Sequence, residues 1–355
     1  MGSYEAEKLK NRKIRSAICS KAETEPLARE ATEHSNTAPE IMLTPQDGLG
    51  VSDLFKFNME QKIFDIAGVK VGGQPGQLPT VMVGSIFYHK DKIVTDPKTG
   101  TFEKNKAEEI LKVEEEMSAK TGNPRMVDVC ASWPDAFPKE IEFVASMISG
   151  PFTIDGTTTE VRLAGAKYVY QAGLSDRVVY NSITPDIRED EVTAIREAKI
   201  KSALLLALNT TNPTIAGRLA VIDRLLEKAK AAGIEKMLVD TTVLDLPDPG
   251  PAGKTAYLVK EKYGLPCGCG AHNAVDMWHR RKKLDPDAHL AASVVANVLP
   301  IIMGSSFMLY GPIQSASRMY VPIAVADAYI AYTMMQEYRC RPLTNTHPIF
   351  KIFRT

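Results

Sequence analysis

The sequence predicts an α/β protein closed as a (β/α)8 TIM barrel, with an N-terminal hairpin and a mainly helical or extended N-terminal arm. Three observations carry this. From residue 79 onward, a short apolar strand-like stretch, a polar or glycine-containing loop and a helical stretch with 3.6-residue periodicity recur eight times. Runs such as Val81-Met82-Val83, Leu204-Leu205-Leu206-Ala207-Leu208 and Met237-Leu238-Val239 are apolar on both faces, as strands of a helix-covered parallel sheet must be. Eight such units over roughly 260 residues match a closed barrel in size. An open doubly wound sheet fits less well, because Gly84-Ser85-Ile86-Phe87-Tyr88 after the first strand lacks the Gly-x-Gly-x-x-Gly of a dinucleotide turn.

In chain order, residues 1–52 stand apart in composition. They are rich in Lys, Arg, Glu and Ala and then pass through Pro39, Pro45 and Asp47-Gly48. Leu9, Ile14, Ala17 and Ile18 suggest a weakly amphipathic helix, either a frayed arm or a docking helix. Residues 53–78 lead into the barrel through a hairpin, with Ile63–Ile66 and Val69–Val71 flanking Ala67-Gly68. The barrel is expected over 79–355. Its strands read Thr80–Phe87, Arg125–Ala131, Phe152–Asp155, Arg177–Ser182, Ala203–Asn209, Lys236–Asp240, Pro266–Gly270 and Pro300–Phe307. Its helices read Lys104–Thr121, Pro138–Ser149, Glu160–Ala172, Glu189–Ile200, Thr214–Ala232, Ala252–Tyr263, Asp287–Asn297 and Ile323–Glu337.

Composition narrows the function. The 355 residues carry 43 Lys plus Arg against 43 Asp plus Glu, so no global basic field exists to concentrate nucleic acid or anionic lipid. Five cysteines, an odd number, do not form a disulfide framework and fit a reducing, cytoplasmic setting. The Met1 end has neither the apolar core nor the cleavage site of a signal peptide. The most apolar window, Val294 to Gly311, is interrupted by Asn297, Pro300, Gly304, Ser305 and Ser306. It falls short of the roughly 20 apolar residues of a spanning helix.

A barrel of this kind builds its active site at the carboxyl ends of the strands. Polar residues recur there in register: Ser85 near the end of strand one, Asp128 on strand two, Asp155 on strand three, Asn181 on strand four, Asn209 on strand five, Asp240 on strand six and His272-Asn273 after strand seven. Any one of them reads equally as a helix cap or loop anchor, Asn209 most of all, ahead of Thr210, Thr211, Asn212 and Pro213. Their recurrence argues for a ligand. Carboxylates offer only acceptors and carboxamides both donors and acceptors, a set that suits the N–H-rich edge of a reduced pterin. Each charge-assisted hydrogen bond contributes about 1.5–3 kcal/mol.

These residues also carry a resemblance. The runs Ile63-Phe64-Asp65-Ile66-Ala67-Gly68-Val69-Lys70, Gly72-Gly73-Gln74-Pro75-Gly76, Pro79-Thr80-Val81, Tyr88-His89-Lys90 and Lys92-Ile93-Val94 are similar to the start of the H subunit of tetrahydromethanopterin S-methyltransferase. The similarity runs from about Leu54 to the end of the chain and takes in irregular loop residues as well as barrel periodicity. That family is a branch of the pterin-binding barrels, with the methyltetrahydrofolate:corrinoid methyltransferases and, more distantly, dihydropteroate synthase. The resemblance implies transfer of the N5-methyl group of methyl-tetrahydromethanopterin to the cobalt(I) of a corrinoid carried by a separate protein, in either direction. It implies that Asp155 and Asp240 bind the pterin edge together with Asn181, that Asn273 lies near the methyl-bearing nitrogen, and that Asp128 supports them and passes a proton. It also implies a homodimer and association with a membrane-bound methyltransferase complex. Residues 1–52 depart from the family pattern and leave a stand-alone role open.

The mechanism expected from the resemblance rests on leaving-group chemistry. A tertiary amine leaves poorly until it is protonated, whereas cobalt(I) needs little activation, so the protein must place a proton at N5 and align it with cobalt. Asn273 cannot titrate and would position a proton delivered through solvent or Asp128.

Other readings remain. Methyltetrahydrofolate shares the pterin head and would serve the same site. Cys267, Cys269 and His272 could be ligands of a zinc-dependent thiol methyltransferase, although no fourth ligand is evident and no metal is expected. A dihydropteroate-synthase-like condensing enzyme would need a lysine beside the pterin. A non-catalytic interaction protein would not need the acidic strand ends. His279-Arg280-Arg281-Lys282-Lys283 reads as a solvated helix face or as a rim cluster, with Arg280 and Arg281 meeting a phosphate-bearing tail or an acidic partner. Trp133 and Trp278 lie near strand ends, where they would wall the pocket or simply pack.

Overall fold

Eight parallel strands close into a barrel in chain order. They are β3 (Val81–Ile86), β6 (Arg125–Ala131), β7 (Phe152–Gly156), β8 (Val178–Ile183), β9 (Ser202–Leu206), β10 (Lys236–Asp240), β11 (Cys267–Cys269) and β12 (Phe307–Pro312), the last pairing back onto β3. The computed structural model describes residues 54–353, and the expected arm over residues 1–52 lies outside the described residues. The barrel predicted from the eightfold alternation is the observed fold. Two short antiparallel hairpins, β1 (Ile63–Ile66) with β2 (Val69–Gly72) and β4 (Val94–Asp96) with β5 (Thr101–Phe102), lie outside it.

Period-two alternation decides what enters the barrel. Val81, Val83, Met126, Val179, Leu204, Leu238, Phe307 and Leu309 form one interior cluster, and Ile66 and Val71 of the first hairpin belong to it. The hairpin therefore plugs the amino-terminal end. Its turn places Ala67 and Gly68 at φ of 47° and 87°, the two left-handed residues that a tight two-residue turn requires. The alternate strand residues, among them Val127, Val129, Ile154, Tyr180, Leu205 and Val239, face outward and pack beneath helices through Ile141, Val144, Val161, Val192, Leu225 and Val259. At the β3–β12 seam, the Tyr310 hydroxyl donates to Glu114 Oε1 at 2.7 Å. A side chain at Gly84 would collide with that hydroxyl. Burial pushes the Glu114 carboxyl up to about 7.

Three of the differences from the sequence reading bear on the site. The eighth strand is Phe307–Pro312, whereas Pro300 lies in the last turn of a helix, Pro286–Ile302. A short apolar run bounded by Gly and Ser has no period that separates a buried strand from a buried helix, and here the helix continues to Ile302. Strand five ends at Leu206 rather than Asn209. A helix, His272–Lys282, begins three residues after Cys269, so His272 and Asn273 occupy its first turn rather than a strand end. Among the described residues, no helix is long and apolar enough to cross a membrane.

The plug is testable by cavity formation. Ile66 is fully buried, so Ile66→Ala should cost about 2–5 kcal/mol, read as a lower denaturant midpoint with an unchanged slope.

Candidate active site

Continuing the inward alternation beyond the apolar layer brings up Ser85, Asp128, Cys130, Asp155, Asn181 and Asp240. The ladder sets Ser85 against Asp128, Cys130 against Asp155, and Asp155 against Asn181. The barrel thus changes from apolar to polar at its carboxyl end, through residues that share strands with the core.

Asp128 is the hub of this layer and is 2% exposed. Its Oδ2 accepts from Ser85 Oγ at 2.6 Å and Cys130 Sγ at 3.2 Å. Its Oδ1 accepts from Thr153 Oγ1 and from Asn181 Nδ2 at 3.2 Å. Four donors from four strands satisfy a carboxylate that would otherwise be prohibitively desolvated. The expected proton carrier therefore has both oxygens engaged, and its geometry is that of a positioning group.

Asp155 stands next to it. Burial, followed by the charge of Asp128, pushes the Asp155 carboxyl up to about 8, against the pull of Arg162 behind the strand. Arg162 itself is held by Glu191 Oε1 at 2.5 Å and donates to Gly156 O at 2.9 Å. Burial pushes the Asp240 carboxyl up to about 6, while the Thr242 N–H, 2.7 Å from Oδ1, and the Arg218 charge hold it down. Thr242 adopts φ 65°, which turns that N–H back onto the aspartate. The Thr242 hydroxyl and Arg218 Nη1 are buried without a hydrogen-bond partner among the described residues.

Cys130 lies 3.2 Å from an Asp128 oxygen and 3.9 Å from Asp155 Oδ2. These three are the group of potential metal ligands that the described residues bring together. Burial, followed by the charges of Asp128 and Asp155, raises the Cys130 thiol well above its ordinary range. In the free protein it serves as a hydrogen-bond donor to Asp128 beside Asp155. The Cys267, Cys269 and His272 set considered for zinc does not converge. Cys267 is buried in the outer layer with its thiol on Ala256 O, and His272 Nδ1 is on Leu309 O.

The remaining expected residues lie around the rim. Asn273 is exposed and donates to Val243 O at 3.3 Å, tying the His272–Lys282 helix to the loop after β10. Asn209 does not join the inward ring. Its Oδ1 accepts from Thr211 N, Thr211 Oγ1 and Asn212 N, and its Nδ2 donates to Gly217 O, so the side chain is used up in clasping its own loop. Arg280 and Arg281 are exposed, and Arg281 pairs with Asp245 at 2.8 Å. Trp133 is exposed with Lys98 over its ring, and Trp278 is half-buried. Cys130 and Thr153 are missing from the sequence reading, although both stand two residues from a named aspartate and share its face. Arg218 carries no such signal, because it arrives from the helix Ile215–Ala220.

A family profile described as tetrahydromethanopterin S-methyltransferase MtrH subunit matches residues 59–339. The chain belongs to that family. It is 39% identical over 311 residues to the H subunit of tetrahydromethanopterin S-methyltransferase from Methanothermobacter thermautotrophicus, covering 84% of this chain and all of that one. It is 35% identical over 290 residues to the H subunit of a putative mtx methyltransferase from Methanosarcina barkeri, covering 78% of this chain and 94% of that one. The fold is also that of dihydropteroate synthase from Yersinia pestis solved with a sulfonamide drug, at a TM-score of 0.56 and 13% identity, over 78% of this chain and 100% of that one. The MtrH-family chain is thus a methyltransferase on a closed eight-stranded parallel barrel.

The buried acids of this layer link stability to pH. Folded Asp155 keeps its proton up to about pH 8, whereas an unfolded aspartate releases it near pH 4. The folded state therefore loses stability as pH rises across that window. Asp155→Asn should match wild type in Tm near pH 4, gain progressively above it and level off beyond pH 8, with each kcal/mol appearing as roughly 2 °C.

Proposed function

We propose that this methyltransferase moves the N5-methyl group of methyl-tetrahydromethanopterin, reversibly, to the cobalt(I) of a corrinoid held on a partner protein. The observation that carries the reading is the meeting of half-buried Asp155 and Asn181 with buried Asp240 in one polar layer at the carboxyl end of an MtrH-family barrel. Tetrahydromethanopterin stands in the names of the relatives. Asp155 and Asp240 engage the 2-amino and ring N–H donors of the pterin. Asn181, whose amide N–H is committed to Asp128, turns its carbonyl to the ring. Ser85 and Asp128 hold these groups in place, Asn273 stands at the rim near N5, and Arg280 and Arg281 meet the phosphate-bearing tail or an acidic partner. Asn209 orders its loop and stays outside this set. The working unit is a homodimer in the cytoplasm, attached peripherally to a membrane-bound complex through the corrinoid protein.

Methyltetrahydrofolate is the competing substrate, since its pterin head offers the same edge. The deciding experiment mixes the protein anaerobically with cob(I)alamin and either methyl-pterin and follows the cobalt(I) absorption band. Loss of the band with methyl-tetrahydromethanopterin alone supports the proposal, whereas loss with methyltetrahydrofolate alone replaces the substrate. Absence of pterin binding by calorimetry would sink the assignment.

Asp155→Ala and Asp240→Ala should each weaken pterin binding about 10- to 100-fold, the value of one charge-assisted hydrogen bond. Pterin N–H donors need the ionised carboxylate, and free Asp155 holds its proton up to about pH 8. Affinity should therefore rise with pH from 6 to 8 with release of a proton, measured by calorimetry in buffers of different ionisation enthalpy. Arg280→Glu with Arg281→Glu should raise KM at low salt, with the difference shrinking as ionic strength screens it.

A further inference from the structure

The ring of side chains at the carboxyl end of the barrel is completed by a residue that no strand supplies. Inward positions on β12 run Phe307, Leu309 and then Gly311, which pairs with Gly84 beside Ser85. Gly311 has φ 96°, and a Cβ there would stand 2.7 Å from Cδ2 and 2.8 Å from Cγ of His272. The imidazole occupies the space that a β12 side chain would fill. Its Nδ1 lies 3.0 Å from the Leu309 carbonyl. A carbonyl only accepts, so Nδ1 carries the hydrogen and the lone pair of the neutral ring is on Nε2. Nε2 makes no hydrogen bond among the described residues.

The charged groups acting on this ring are Asp276 and Arg280 of its own helix and Asp128 of β6, while β12 contributes only backbone. Tyr88, in the loop after β3, feels the charge of the same Asp276. Burial lowers the imidazole from its ordinary range, and the Leu309 carbonyl and the two aspartates work in the opposite direction. The other groups near the reaction are committed: Asp128 to four donors, Asp155 and Asp240 to the pterin edge, and Asn273 does not titrate.

We propose that His272 Nε2 delivers the proton that N5 of the pterin takes up as its methyl group departs. This rests on the functional reading above. The donor is the imidazolium, formed when the Nε2 lone pair takes a proton from solvent; the C–N5 bond breaks with its electron pair remaining on N5, which takes that Nε2 proton. The methyl carbon is captured by the electron pair of corrinoid cobalt(I), which becomes formally cobalt(III), and the neutral imidazole is reprotonated from solvent. In the reverse direction the same nitrogen accepts the proton from N5.

The test compares wild type with His272→Gln, which retains a donor for Leu309 but does not titrate. A second variant, His272→Ala, is assayed with added imidazole. Methyl-tetrahydromethanopterin binding is measured by calorimetry, and single-turnover transfer to cob(I)alamin is followed at saturating pterin across pH 5.5–9. Binding should stay within about threefold, while the transfer rate of both variants should fall by about 10²–10⁴-fold. The wild-type rate should decline as pH rises through the imidazole ionisation, the Gln variant should be flat, and imidazole should restore the Ala variant. A Gln rate within about threefold of wild type, or a Gln variant that keeps the wild-type pH dependence, overturns the role of His272 alone. Failure of wild type to bind the pterin overturns the functional reading and this role with it.

Discussion

The Asp128 carboxylate, buried under donors from four strands, is the interaction on which the polar end of the barrel depends. An ionised acid inside a barrel is tolerated only when nearly every lone pair is met. Ser85, Cys130, Thr153 and Asn181 meet them here. Satisfying one charge thereby fixes the heights and rotamers of neighbouring strands, including Asn181, which binds ligand in the proposed function. A residue that the sequence marks as a participant in chemistry becomes the reason the participants are aligned.

The same burial that makes Asp128 costly poises its neighbours. Asp155 and Asp240 sit close enough to other negative charge, or deep enough, to hold protons well above the ordinary carboxylate range. In the free protein this relieves repulsion, and in the proposed function the N–H donors of the pterin take the place of the protons. Under that proposal binding and ionisation are one event, and the site trades stability of the empty barrel for affinity.

Much of this is legible in the chain. Asp128 and Asp240 each follow an inward apolar residue by two positions, Met126 and Leu238, so alternation places them on the inner face, whereas Asp155 follows Thr153 and is placed by the outward Phe152 and Ile154 on either side of it. The same rule reaches Cys130 and Thr153, but a thiol and a hydroxyl do not stand out as an acid does. It fails at β12, where Gly and Pro punctuate a continuously apolar stretch and the helix Pro286–Ile302 runs past the expected strand start.

The sequence by itself determined the barrel, the hairpin ahead of it and the identity of the acids at its open end. Period two and period 3.6 are local properties, and a strand cannot turn a residue from the core side to the other without slipping its register. Only the tertiary structure decided which polar residues spend their hydrogen bonds on the protein and which keep them for a ligand. Asn209 and Asn181 look alike in the chain, but one clasps its own loop and the other joins a network spanning four strands. His272 enters the ring only because Gly311, 39 positions away, leaves room for it. Such vacancies and saturations arise between distant segments, and no local pattern encodes them.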